Sequence, residues 1–139
     1  EYSQDGNIYY KGNYVNNIKE GYGTLYLNNT CYIGIFENNS KKGKGKYYIN
    51  QKLLYDGEWL NDKYDGTGKL YHKDDEILFY DGKFRNGLRT GYGTLFFKNG
   101  KILYQGYWLN NMSWGLGKEY DIDGNLIYDG EWEFNKKLN

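Results

Sequence analysis

The chain has 139 residues, the size of one ordinary domain, with 18 Lys or Arg against 18 Asp or Glu. It contains 20 Gly, 18 Tyr, 6 Phe and 4 Trp but no Pro, so its composition favours strands over helices and excludes a collagen-like chain. Because the charges balance, no global field attracts nucleic acid or an anionic membrane, and we expect no nucleic-acid partner.

Five repeated units follow in chain order, each beginning at a tyrosine. They are residues 10–31, 32–54, 55–79, 80–103 and 104–127. Within a unit, a tyrosine, a glycine, an aromatic residue and an asparagine lie two residues apart, as at Tyr55, Gly57, Trp59 and Asn61. A Gly-x-Gly pair starts nine residues after the first glycine, at Gly66 in this unit. Since two residues is the repeat of a strand, each unit is predicted to form two strands joined by an Asn-containing turn.

The glycines in these strands are predicted to make room for aromatic rings. A glycine on a neighbouring strand leaves bare backbone on which a tyrosine or tryptophan ring can pack. Each glycine costs roughly 0.5 to 1 kcal/mol of strand preference, which burial of the covering ring offsets. We therefore expect a single-layer sheet held together by ring-on-glycine packing along one face. The variation in unit length falls after the glycine pair, in the segment that leads to the next unit.

Both ends of the chain carry incomplete copies of the repeat. The partial units are residues 1–9 and 128–139. The second of these is interpreted as a truncated or capping unit, because Glu133 and Phe134 precede Asn135 where one residue is expected. We expect residues 1–139 to form one array that has been excised from a longer protein.

The five units resemble the MORN repeat family (membrane occupation and recognition nexus), whose pattern is Y-x-G-x-W/F-x-N-G-x-x-x-G-x-G. The match extends over essentially the whole chain, although Tyr14 replaces Trp or Phe in the first unit and Asn135 departs from the pattern in the last. The resemblance implies an all-β fold, an elongated, twisted, antiparallel meander of tandem β-hairpins. It also implies a scaffold or assembly role, because family members include junctional proteins and non-catalytic segments of lipid kinases and a histone methyltransferase.

No residues form a recognisable catalytic, cofactor-binding or metal-binding motif. His72 is the only histidine and Cys31 the only cysteine, and neither belongs to a nucleophile motif. The segment 119–124 half imitates a calcium loop, but Gly130 stands where a bidentate glutamate is required. We expect residues 1–139 to have no enzymatic activity and no cofactor, although a parent protein could carry a catalytic domain.

The aromatic face is the first candidate for binding a protein partner. Its candidate residues are Tyr55, Trp59, Tyr80, Phe84, Tyr104, Trp108, Tyr128 and Trp132. Most of these rings are expected to hold the fold together, and any that stay exposed would anchor a partner peptide. A second route is pairing through an open sheet edge, near residues 8–14 or 128–134, to a partner or to a second copy.

The alternative function is membrane targeting through anionic phospholipid. Its candidate residues are Lys41, Lys42, Lys44 and Lys46. At about 1 kcal/mol per basic residue, four lysines bind an anionic surface only marginally, and strand alternation divides them between faces. The lone cysteine and the lack of a long apolar run lead us to expect a cytoplasmic protein, peripheral to a membrane or the cytoskeleton.

Overall fold

The computed structural model describes residues 8–138, and these form one sheet of twelve antiparallel strands. The strands are β1 (Ile8–Val15), β2 (Ile18–Leu27), β3 (Thr30–Glu37), β4 (Ser40–Ile49), β5 (Lys52–Leu60), β6 (Lys63–Tyr71), β7 (Leu78–Arg85), β8 (Leu88–Phe96), β9 (Ile102–Leu109), β10 (Met112–Tyr120), β11 (Leu126–Glu133) and β12 (Lys136–Lys137). Their order in the sheet is their order in the chain, which confirms the predicted meander.

The turn inside each unit has two residues, and both adopt a positive φ. In the second unit these are Asn38 at 50° and Asn39 at 69°. Two successive positive φ values define a type I′ turn, whose twist matches that of the two strands it joins. Asparagine tolerates this conformation better than other side-chain-bearing residues, which explains its regular recurrence in the sequence.

The last unit keeps this register, contrary to the interpretation of Asn135 as displaced. Glu133 pairs with Lys136, and the two residues between them have φ values of 48° at Phe134 and 64° at Asn135. Asn135 is therefore the second turn residue, as Asn39 is in the second unit. Phe134 replaces the first asparagine without changing the spacing.

The connections between units absorb the variation in length, as predicted. The first two are two-residue turns at 28–29 and 50–51. The next three are longer loops, at 72–77, 97–101 and 121–125. The uniform hairpin turns within units therefore lie at one end of the strands, and the variable connections between units lie at the opposite end.

The first glycine of each Gly-x-Gly pair is required for its backbone conformation. The five positions have φ values between 72° and 100°: Gly21, Gly43, Gly66, Gly91 and Gly115. Each pairs with the aromatic residue of the next unit, as Gly66 does with Phe84. The prediction that glycine serves only to make room was wrong here, because positive φ disfavours any residue with a Cβ.

The other glycines in the strands do make room for rings, as predicted. Gly57 of β5 pairs with Gly68, the second glycine of the pair in β6. The ring of Tyr55 lies across both, and a Cβ on Gly57 would stand 2.7 Å from the Tyr55 hydroxyl oxygen. The strands approach closely because neither glycine has a side chain.

Candidate functional site

The tyrosine face of the sheet is the face that carries the first tyrosine of every unit. These unit tyrosines are Tyr10, Tyr32, Tyr55, Tyr80, Tyr104 and Tyr128. Each contacts the aromatic residue of its own unit edge to face, and the first five also contact that of the next unit. Tyr55, for example, lies 5.1 Å from Trp59 and 5.4 Å from Phe84 between ring centroids. The rings therefore form one continuous column along the sheet.

The rings proposed as partner-binding residues belong to this column and are largely inaccessible. Tyr55 and Tyr80 are completely buried, and Trp132 is only 8% exposed. Tyr128 is half-buried. These rings hold neighbouring units together, so a partner on this face meets mainly the side chains that surround them.

The polar atoms of the column are satisfied internally. Each unit tyrosine donates its hydroxyl to the backbone carbonyl three residues later, as Tyr55 does to Glu58 at 2.7 Å. The Trp59 indole Nε1 donates to the carbonyl of Gly45 at 3.0 Å. Burial raises the pKa of Tyr104 to about 12, so its hydroxyl stays a neutral donor.

We name one row on this face the cover positions; they lie nine residues after each unit tyrosine and are at least partly exposed, except for the buried Ser113. They are Lys19, Lys41, Tyr64, Arg89, Ser113 and Lys137. The Lys41 Nζ lies 5.4 Å from the centroid of Tyr32, and the Arg89 Cζ lies 4.7 Å from that of Trp108. Sequence reasoning missed this row, since its members share a spacing and not a residue type.

The hairpin turn of the next unit fixes the backbone of most cover positions. The Asn39 side-chain oxygen accepts a hydrogen bond from the Lys19 backbone N–H at 2.8 Å. The Asn39 N–H donates in return to the Lys19 carbonyl at 3.0 Å. Asp62, Asn111 and Asn135 accept in the same way from Lys41, Arg89 and Ser113. The second turn residue therefore positions the cover residue of the preceding unit.

A second accessible row, the outer row, lies two residues after each second glycine. Its members are Leu25, Tyr47, Leu70, Leu95 and Glu119. All are half-buried, and the four apolar members pack against the column. A hollow of about 270 Å³ lies in this region, lined by residues that include Tyr47, Trp59 and Tyr64. Another of about 180 Å³ lies beside Ser113 and Glu119.

The four lysines proposed for lipid binding do not share a face. Lys41 covers Tyr32 on the tyrosine face and lies 3.9 Å from an Asp62 carboxylate oxygen. Lys44 and Lys46 flank Gly45, so they project from the opposite face. There they pair in register with Glu58 and Asp56, and Lys42 forms an ion pair with Glu37. These acidic neighbours reduce the positive potential that an anionic lipid would meet.

The opposite face combines alternating charges with exposed rings. Lys69 stands in register between Asp56 and Asp81 on its two neighbouring strands. Tyr92 and Tyr107 pack edge to face at 5.4 Å, and each remains 50% exposed. This face is therefore well solvated, and it provides positions for matched control substitutions.

The edge prediction needs one correction at its C-terminal end. β12 pairs with Trp132 and Glu133 of β11, so part of the predicted edge at 128–134 is already covered. At the other end, β1 is the outermost strand in the described part of the sheet. Pairing of a partner through either edge stays a prediction.

The remaining candidate chemical groups have structural roles. The His72 ring lies 5.0 Å from that of Phe79, and burial raises the pKa of the half-buried Cys31 thiol. The Asp121 carboxylate accepts hydrogen bonds from the backbone N–H groups of Asp123 and Asn125, which form its own loop. Within residues 8–138, no three His, Cys, Asp or Glu side chains gather as they would around a metal ion.

Comparison with known proteins agrees with the repeat geometry. Over residues 8–138 there is no helix with the length and apolar character needed to cross a membrane. No curated protein matches the chain. The family model of the MORN repeat matches six segments, 10–31, 32–51, 55–76, 80–102, 104–126 and 128–137. Each segment begins at a unit tyrosine, and together they span most of the array, so the chain belongs to the MORN repeat family.

Proposed function

We propose that this chain is a non-catalytic scaffold module that binds a partner protein along its tyrosine face. The observation that supports this is the half-buried apolar outer row above a column that is already packed. A hydrophobic sheet face is ordinarily covered by a second layer. Within residues 8–138 all the structure lies in one sheet, which leaves the outer row accessible to another protein.

The hollow between Tyr47 and Tyr64 has the composition of a protein-binding site. The rings of Tyr47, Trp59 and Tyr64 line it, and Lys41, Asp62 and Lys63 surround them. Aromatic residues within a polar rim are typical of the central contacts in protein interfaces. A partner side chain that enters here would contact rings already held in place by the column.

The cellular setting we propose is cytoplasmic, with recruitment to a membrane or the cytoskeleton through the bound protein. Direct recruitment by phospholipid is less favoured because the candidate lysines are divided between two faces. Liposome sedimentation at physiological salt separates these routes. Pelleting that depends on Lys44 and Lys46 would favour the lipid route over the protein route.

A matched pair of tyrosine variants tests the binding face. Photoreactive p-benzoylphenylalanine at position 47 or 92 of the full-length protein captures neighbours in the native cell, and the captured protein is then purified for binding measurements. We expect Tyr47→Ser to weaken its binding at least tenfold and Tyr92→Ser to leave it unchanged. Equal losses, or a loss only with Tyr92→Ser, would exclude the tyrosine face. Thermal unfolding of both variants checks that the fold is retained.

A further inference from the structure

The cover position of the fifth unit lacks a long side chain. In four other units, Lys19, Lys41, Arg89 and Lys137 place a cation over the unit tyrosine, and in the third the Tyr64 ring stacks on Tyr55 at 3.8 Å. The corresponding Ser113 is short, and its hydroxyl lies 3.2 Å from the Asn135 side-chain oxygen. The hollow of about 180 Å³ opens beside it.

The walls of this hollow repeat the surroundings of Arg89 one unit earlier. The Arg89 guanidinium carbon lies 5.8 Å from the centroid of Tyr80 and 4.7 Å from that of Trp108. One unit further, Tyr104 and Trp132 replace these two rings, and both line the hollow. Leu103 replaces Phe79, the third ring near Arg89. The fifth unit therefore retains two of the three aromatic partners of Arg89, but its own cover residue supplies no cation.

A carboxylate lines the same hollow. Glu119 occupies the outer row, where the other four units have Leu or Tyr. Its buried Oε2 forms an ion pair with the Lys137 Nζ at 2.7 Å, and the same Nζ lies 5.9 Å from the Trp132 centroid. Since a carboxylate offers about four acceptor sites, this contact leaves room for a second donor. Glu119 is thus already paired with a cation of this chain, and it offers a further basic group its remaining acceptor sites.

We propose that this hollow receives an arginine side chain of the partner protein, which completes the row of cover positions from outside the chain. Arginine fits better than lysine because its planar guanidinium stacks on rings and carries several donors for the remaining acceptor sites of Glu119. This proposal rests on the proposed function and names the chemistry that the tyrosine face recognises near its C-terminal end.

The composition of the chain favours an external source for this arginine. The sequence contains two arginines, and one of them, Arg89, already covers Trp108. Residues 1–7 contain neither lysine nor arginine. Within residues 1–139 a second copy could offer Arg85, so exchange of Arg85 tests self-association through this part of the protein.

NMR titration of the ¹⁵N-labelled chain with N-acetylarginine methylamide tests the hollow directly. We expect saturable shifts of the Trp132 indole N–H and the Ser113 and Asn135 backbone N–H groups, with the Trp59 indole unaffected. The matched probe is the citrulline derivative, which has nearly the same shape without the charge and should bind at least tenfold more weakly. Equal binding of the two probes, or equal shifts at Trp59, would overturn the proposal.

Variants connect this probe to the partner. We expect Ser113→Arg to abolish the shifts by filling the hollow, Glu119→Gln to weaken binding at least fivefold, and Ser113→Ala to preserve it. With the partner captured above, Ser113→Arg should lower affinity at least tenfold. If Tyr47→Ser weakens that complex and Ser113→Arg does not, the proposed arginine site is wrong, while the proposal that the tyrosine face binds the partner is retained. Shifts that appear on concentration alone and vanish with Arg85→Gln would assign the hollow to a second copy and also overturn the proposal.

Discussion

The ring of Tyr80 lies directly against the backbone of Gly93 on the neighbouring strand. A Cβ on Gly93 would stand 2.6 Å from the Tyr80 ring carbon Cε2, closer than real Cβ atoms approach. Gly82, which pairs with Gly93, lies under the same ring. Because Gly82 and Gly93 have no side chains, they leave the space that the buried Tyr80 ring fills.

Gly82→Val should destabilise the fold by about 1 to 3 kcal/mol through overpacking. The added Cβ would overlap the Gly93 Cα, and backbone held in a ladder cannot move aside as a flexible side chain can. Chemical denaturation monitored by tryptophan fluorescence measures the loss. An unchanged midpoint would contradict the account of ring-on-glycine packing.

Gly43 should respond to substitution differently, because its φ is 72° and the space around it is ordinary. A Cβ there would lie 3.5 Å from the Ile35 Cδ1, a normal contact. We expect Gly43→Ala to cost about 1 to 2 kcal/mol and Gly43→Asn less, since asparagine tolerates positive φ. At Gly93 the order should reverse, with Asn worse than Ala. Chemical denaturation of the four variants measures their stability and so shows whether each glycine is required for its positive φ or for the space it leaves. If Ala and Asn rank in the same order of stability at both sites, the two glycines do not differ in this way.

Gly87→Asn should stabilise the protein by about 0.5 to 1 kcal/mol. Gly87 is the second turn residue of its unit, with a φ of 82°, and it donates its N–H to the Tyr64 carbonyl at 2.8 Å. An asparagine side chain could also accept the Tyr64 N–H, as Asn39 accepts that of Lys19. Thermal unfolding measures the gain, and Gly87→Ala serves as the control that should lose stability. Equal effects of Asn and Ala would argue against this role of the turn side chain.

Stability should fall as the pH rises from about 10 to 12, the range between the ordinary tyrosine pKa and the raised values. Burial raises the pKa of Tyr64 and of Tyr104 to about 12. Above pH 10 the unfolded chain releases these protons while the folded chain keeps them, so unfolding becomes more favourable. Denaturation between pH 7 and 12 tests this, with Tyr64→Phe expected to reduce the dependence. A pH-independent midpoint over this range would contradict the prediction.

The architecture could be predicted because the repeat spacing directly reflects strand geometry. Tyr55, Gly57 and Trp59 share a face since side chains alternate, and Asn61 marks the turn because asparagine tolerates positive φ. The last turn was misinterpreted because Asn135 was taken as the residue that marks its start. The distance from Tyr128 would have placed the turn correctly at Phe134 and Asn135. Spacing was a more reliable guide than residue identity.

The accessible surface could not be predicted to the same extent. Lys41, Tyr64, Arg89 and Ser113 differ in charge and size, so no residue type reveals that they occupy equivalent places. Similarly, sequence alone does not distinguish Gly66, required for its positive φ, from Gly68, required for space. Both depend on a bulge in the pairing within each unit: in β5 and β6 the register passes from Gly57 with Gly68 to Trp59 with Tyr64, so extra residues of β6 lie between the two pairs.

The contacts of the column link each repeat unit only to its neighbours, so whole units can be removed or added. From Tyr32 to Tyr104, each unit tyrosine contacts aromatic rings of its own unit and the next, and each hairpin turn from the second unit on binds the cover segment of the preceding unit. Joining Phe79 directly to Tyr104 would delete a whole unit and bring Tyr55 against Trp108 where Phe84 now lies. Such a shortened chain would keep every type of contact and expose no new interior, because stability in a repeat array depends on nearest neighbours. The reach of the module can therefore change in steps of two strands, by the loss or gain of entire units, while the surface of each remaining unit is preserved.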